Sequence, residues 1–156
     1  MSESDWLAPA SHYSKIDGNL WMGGWPGYDA QAGHHRFDYI FDLYGKPAQG
    51  PRHGQLVVTW AIRDHDGLPD LLMLEALAEQ VRGLRQLGPT LVHCEAGWNR
   101  SGLLVALALI RDGWFPSTAI QTIRDKRHPM ALSNKTFAAW LATLTPGCGI
   151  EGGVRH

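Results

Sequence analysis

Val92-His93-Cys94-Glu95-Ala96-Gly97-Trp98-Asn99-Arg100-Ser101-Gly102 decides how this chain folds and what chemistry it can carry. Thr90-Leu91-Val92 just before it reads as a short buried strand, and residues 101–112 after it are apolar nearly all round, as a central buried helix would be. A loop between such a strand and helix is a ready anion site, because its backbone N–H groups and the helix N-terminus converge with partial positive charge. Gly97 lets the chain turn with N–H groups aimed inward where a Cβ would clash, and Gly102 lets the helix start close to its neighbour, expected to be the adjoining strand. Arg100 completes the cradle, since a planar guanidinium holds two oxyanion oxygens at once. Cys94 stands at the loop's start, where the field that binds an oxyanion also favours the thiolate. Thiols at helix N-termini drop from about 8.5 to roughly 3.5–7.5.

Outward from this stretch, strand and helix patterns alternate. Leu20-Trp21-Met22 reads as a short strand closed by a turn-rich run from Gly23 to Gly27, and Tyr39-Ile40-Phe41-Asp42-Leu43 as another. Residues 28–35 are only weakly helical, and residues 45–54 form a surface loop. The nearly continuous apolar run 56–62 predicts a strand buried on both faces. Apolar residues at 71, 74, 77, 81, 84 and 87 recur at helical spacing, with Gly88-Pro89 as the stop. Residues 117–125, introduced by Pro116-Ser117, and 133–144, capped by Ser133 or Asn134, predict two more helices. The pattern is that of an α/β fold: a single domain with a central, mostly parallel sheet of about four to five strands flanked by helices.

At 156 residues the chain can bury one core without staples, so residues 1–156 are expected to form one domain, with 1–14 a loose lead-in and 146–156 a mobile tail. A formal net charge of −1 creates no global field for nucleic acid or an acidic membrane, and neither partner is expected. The longest strongly apolar stretch, residues 103–110, falls far below the roughly 20 needed to cross a bilayer. Two cysteines, Cys94 and Cys148, make no disulfide framework, which points to a reducing, cytoplasmic compartment. The polar, acidic first five residues do not resemble a signal peptide. A monomer is expected.

His93 to Gly102 matches His-Cys-x5-Arg-Ser/Thr-Gly throughout. That is the signature of the cysteine-based protein tyrosine phosphatase superfamily, and the chain resembles its small dual-specificity phosphatases. Lys15-Ile16 with Asn19 to Gly23 looks like their first strand, and Arg127-His128-Pro129 through Asn134 to Phe137 is similar to their C-terminal region. The resemblance implies hydrolysis of a phosphorylated protein or peptide through a cysteinyl-phosphate, with no metal and no cofactor. Cys94 would be the nucleophile, and Glu95, Ala96, Gly97, Trp98, Asn99 and Arg100 would hold the phosphate. Ser101 would hydrogen-bond the departing thiolate, and His93 would support the loop.

In the resembled family an Asp on the loop after the preceding strand protonates the leaving oxygen. That loop offers Asp64, Asp66 and Asp70. Trp60-Ala61-Ile62-Arg63-Asp64-His65 resembles the family's aromatic-Pro-Phe-x-Asp-His pattern, which favours Asp64 as general acid and base. Asp66-Gly67-Leu68-Pro69 resembles another version of the acid loop, so Asp66 stays open. Asp70 reads as a helix cap or first-turn acid.

His34-His35, His53 and His65 lack a zinc spacing and are expected to be exposed loop residues. Cys148, in a Gly-rich tail, is a candidate resolving thiol for an oxidised Cys94. Phosphoinositide-directed relatives resemble Cys-Lys-Ala-Gly-Lys, whereas acidic Glu95 and aromatic Trp98 fill those slots here. Trp98 is thus placed either to pack on a phosphotyrosine ring or on neighbouring loops. Two alternatives stay open: an RNA 5′-triphosphatase of the same superfamily, which Asn99-Arg100 resembles, and a non-catalytic phosphoprotein-binding module.

Overall fold

The computed structural model describes residues 12–25, 33–46 and 52–147. Five strands form one sheet: β1 (Tyr13–Asp17), β2 (Leu20–Gly23), β3 (Tyr39–Asp42), β4 (Leu56–Thr59) and β5 (Thr90–His93). Four helices pack on it: α1 (Leu71–Leu84), α2 (Arg100–Arg111), α3 (Pro116–Lys126) and α4 (Lys135–Ala142). The order across the sheet is β1-β2-β5-β3-β4, with only the β1–β2 pair antiparallel. β5 is central, flanked by β2 and β3, and all four of its residues are buried. Its C-terminal end therefore opens into the middle of the sheet's edge, where ligands bind in open parallel sheets.

α2 leaves that end and runs through the core, buried from Ser101 to Arg111. It packs against α1, α3 and α4, which explains why it is apolar on every face. Arg111 at its last turn is buried too, and its charge is met by a two-pronged bond to Glu75 of α1, at 3.0 and 2.5 Å.

Several sequence expectations are corrected in detail. β4 is an edge strand, four residues long, with Leu56 and Thr59 exposed and Val57 and Val58 only half-buried. An apolar run suits an edge as well as a centre, and strand order is set by tertiary pairing. The chain continues alongside β3 past the strand, through Trp60 N–H to Asp42 O (2.9 Å) and Ile62 N–H to Leu43 O (3.2 Å). Tyr13 and Ser14, assigned to the loose lead-in, begin β1. α1 stops at Leu84, leaving Leu87 exposed, although Gly88-Pro89 follow as the break. Pro116 is the first residue of α3 and Ser117 makes no cap, whereas Asn134 caps α4 by accepting from Phe137 N–H at 3.1 Å. Residues 33–36 form a single 3₁₀ turn, and the rest of the 28–35 segment lies outside the described residues. Of the tail, Gly147 is fixed by its N–H to Ile110 O at 2.7 Å, and Cys148 onward is outside the described residues. No described helix is long and apolar enough to cross a membrane.

Candidate active site

The loop between β5 and α2 is shaped by what takes its carbonyls. Trp25 N–H donates to Glu95 O at 2.7 Å. The Arg127 guanidinium from the end of α3 reaches beneath the loop and donates to Ala96 O (3.2 Å) and Gly97 O (3.1 Å). Leu132 N–H donates to Trp98 O at 3.1 Å. In a planar trans peptide the N–H points away from the carbonyl. Four consecutive carbonyls held from outside therefore turn the N–H groups of residues 96–99 toward the opposite, concave side.

Gly97 is required for this bend. Its φ is +76°, and a Cβ there would lie 2.6 Å from the Gly23 backbone and 2.7 Å from Arg127 Nη2. Gly102 has a different neighbour from the expected strand: its Cβ would meet the Leu132 side chain at 3.0 Å.

Cys94 lies at the base of the concavity, almost fully buried, with its N–H on Gly23 O at 3.3 Å. Its Sγ accepts from Ser101 N–H at 3.4 Å and lies 3.3 Å from Ser101 Oγ. Arg100 donates through Nη1 to Ile62 O at 3.2 Å, and its guanidinium carbon sits 5.6 Å from the Tyr44 ring centre. Tyr44 Oη donates to Glu95 Oε2 at 2.7 Å, tying the exposed loop carboxylate to the loop after β3. Trp98 stacks on His128, with centroids 4.6 Å apart and planes 17° apart, and stays half-buried.

Of the three acid candidates, Asp64 is the one bound to the loop. Its Oδ2 accepts from Asn99 Nδ2 at 3.0 Å and its Oδ1 from Asn134 Nδ2 at 2.8 Å. Asp64, His65, Asp66, Asn99 and Asn134 line a cleft of about 360 Å³, so Asp66 is near but holds no such bond. Asp70 caps α1, its Oδ1 accepting from Met73 N–H at 3.1 Å.

Under the loop lies a polar cluster of which sequence reading named only His93 as support for the loop. His93 places Nδ1 3.5 Å from Cys94 O and Nε2 3.5 Å from Asp42 Oδ1. The His34 ring stacks obliquely 5.0 Å from His93 and 5.5 Å from Tyr13, and is fully buried. That corrects the expectation of an exposed His34; His35, His53 and His65 are exposed. Burial pushes the His93 pKa down to about 4, against the opposing pull of the Cys94 carbonyl. Burial, then the nearby His93, His35 and His12, push His34 down to about 3. Burial raises Asp42, while N–H groups of Tyr44 and Gly45, the Thr59 side chain and Arg100 pull it back. Burial lowers Arg127, and the proximity of Cys94 opposes it. Among the described residues no group of three or more His, Cys, Asp or Glu could hold a metal ion.

A buried cysteine at the end of the central strand, with an arginine at the head of the helix that follows, is the arrangement of a cysteine-dependent phosphatase. A family model described as protein-tyrosine phosphatase matches residues 52–145, more than half of the chain, and the chain belongs to that family. Solved structures share the fold: a mouse protein described as a dual specificity phosphatase, in complex with zinc tungstate, is 24% identical with a TM-score of 0.73, covering 92% of this chain and 89% of that one. Human DUSP28 is 20% identical with a TM-score of 0.71, covering 85% and 91%. The active form of Tk-PTP is 21% identical with a TM-score of 0.70, covering 85% and 97%. A Dictyostelium discoideum protein named as a protein tyrosine phosphatase type IVA B is 39% identical over 61 residues. That match spans 38% of this chain and 37% of the relative.

Proposed function

We propose that this domain hydrolyses phosphate monoesters on protein side chains, phosphotyrosine and also phosphoserine or phosphothreonine, through a cysteinyl-phosphate on Cys94. The observation that supports the reading is Cys94 Sγ, buried and accepting from Ser101 N–H in the first turn of α2, at the start of a loop whose carbonyls at 95–98 are taken by other segments. An oxyanion seated there has its equatorial oxygens on the loop amides of residues 95–100 and on Arg100, with phosphorus facing the sulfur. The Sγ electron pair forms the S–P bond as the P–O bond to the side-chain oxygen breaks. Asp64 delivers its proton to that oxygen, and the alcohol leaves neutral. Water then attacks the cysteinyl-phosphate, its proton passing to the ionised Asp64. The S–P electron pair returns to Cys94, where Ser101 hydrogen-bonds the departing thiolate. Charge is neutralised by backbone dipoles and one guanidinium, so the scheme requires no metal.

The test compares phosphate release from phosphotyrosyl, phosphoseryl and phosphothreonyl peptides and from triphosphorylated RNA, in wild type and Cys94→Ser. Turnover of phosphopeptide that Cys94→Ser abolishes, with peptide binding retained, is expected. Preferential turnover of the RNA would select the triphosphatase, and an inert wild type that binds phosphopeptide would select the binding module. Orthovanadate should compete with substrate, and EDTA should leave the rate unchanged.

A further inference from the structure

Asn134 has a local duty and a distant one. Its Oδ1 accepts from Phe137 N–H and caps α4, while its Nδ2 donates across the cleft to Asp64 Oδ1 (2.8 Å) and His65 O (2.9 Å). Asn99, inside the phosphate-binding loop, accepts at Oδ1 from Asn134 N–H (2.8 Å) and donates from Nδ2 to Asp64 Oδ2 (3.0 Å). The two carboxamides thus grip both oxygens of one carboxylate, and the Asn99 carboxamide is tied in turn to the Asn134 backbone N–H. The chain leading to Asn134 is held in a costly shape. Leu132 has φ +59°, a left-handed conformation rare for a branched residue. Its N–H is on Trp98 O, and Arg124 donates to the carbonyls of Ala131 and Leu132, both at 3.0 Å. A helix cap alone needs none of these bonds. They fix where Asn134 stands relative to the loop.

We infer that Asn134 and Asn99 are positioning residues that hold the acid loop against the phosphate-binding loop and aim the Asp64 carboxyl. The inference rests on the reading of Asp64 as general acid. Neither Asn side chain touches the reacting atoms. Asn134 anchors Oδ1, which leaves Oδ2, the oxygen on the loop side, to carry the proton in exchange for its bond from Asn99. With the clamp already formed, binding energy from substrate is not needed to close the acid loop.

Asn134→Ser separates the two duties, because Ser caps a helix about as well as Asn but is too short to reach Asp64. The assay is kcat/KM, which reports the steps up to P–O cleavage, on phenyl phosphate, whose leaving group needs a proton, and on 2,4-dinitrophenyl phosphate, whose leaving group does not. General acids contribute about 10²–10⁴-fold. Asn134→Ser is expected to lower kcat/KM on phenyl phosphate by about tenfold or more and on the dinitrophenyl ester by less than about twofold, with an unchanged melting temperature. Asn134→Asp, which keeps the cap and sets a second carboxylate against Asp64, should deepen the same selective loss. Asp64→Asn should show that selectivity in full, and adding Asn134→Ser to it should cost little more. Equal losses on both esters, or a loss that tracks melting temperature, would reduce Asn134 to a structural cap. Selective loss in Asp64→Asn but none in the Asn134 variants would overturn the clamp and leave the acid assignment standing. If Asp64→Asn is itself unselective, the acid assignment goes, and the clamp with it.

Discussion

Acidifying the protein from pH 7.5 to pH 5 tests the buried histidine pair. Folded His34 and His93 protonate near 3 and 4, against 6.5 for the free side chain. Each is harder to protonate folded than unfolded, so the unfolded chain takes up its proton first. Their contribution to stability is complete above about pH 6.5 and is lost as pH falls from there toward each folded value. At pH 5 the unfolded side chain is about 97% protonated, and the loss is about 2 kcal/mol for each histidine. Asp42 acts in the opposite direction, since burial raises its pKa and acid relieves the cost of its buried charge. A difference between two proteins removes that contribution. Neither nitrogen of His34 has a hydrogen-bond partner among the described residues, so His34→Phe costs no bond there and retains ring contact with Tyr13 and His93. Urea unfolding of wild type and His34→Phe at both pH values should show the variant losing about 2 kcal/mol less on acidification. Equal losses in the two proteins would mean that His34 takes a proton in the folded state as readily as in water, and the reasoning from its burial would fail.

Gly97→Ala forces a side chain into a left-handed residue and against the Gly23 backbone at 2.6 Å, so a loss of about 1–2 kcal/mol from the backbone alone is expected in urea melts, with vanadate competition weakened about tenfold or more. Glu75→Gln leaves Arg111, 6% exposed, without its carboxylate, and should cost about 3 kcal/mol, read as a fall in melting temperature of about 6–12 °C. Asp70→Ala removes the α1 cap and should cost about 1 kcal/mol, while the ratio of rates on phenyl and dinitrophenyl phosphate stays unchanged.

What was legible in the sequence is what short-range chemistry writes there. The strand Thr90–His93, the buried helix Arg100–Arg111 and the cysteine loop between them follow from an apolar run, a second apolar run and an anion-shaped interval. Asp70 and Asn134 were readable as caps because a cap bonds to amides three residues on. The second bond of Asn134 crosses 70 residues to Asp64, and no local pattern encodes it. His34 looked like a surface residue because Gln31, Gly33, His35 and Arg36 around it read as a loop. Its burial comes from Tyr13 and His93, which other strands deliver. The run 56–62 suggested a strand buried on both faces because hydropathy reports apolar character, not how much of it the fold covers.

The same distinction governs the site. The motif contains every atom assigned to bond making and breaking except those of Asp64, yet it contains none of the groups that hold its own carbonyls outward. Those come from Trp25 after β2, Arg127 at the end of α3 and Leu132 before α4. A free peptide of residues 93–102 would present the sulfur and the guanidinium with its amides unfixed, and would have to lose that freedom on binding each oxyanion. In the folded chain the cost is met once, during folding, by contacts from three segments. Anion affinity therefore draws on residues outside the motif as well as within it: loosening Arg127 is expected to weaken oxyanion binding while leaving every residue of the motif in place.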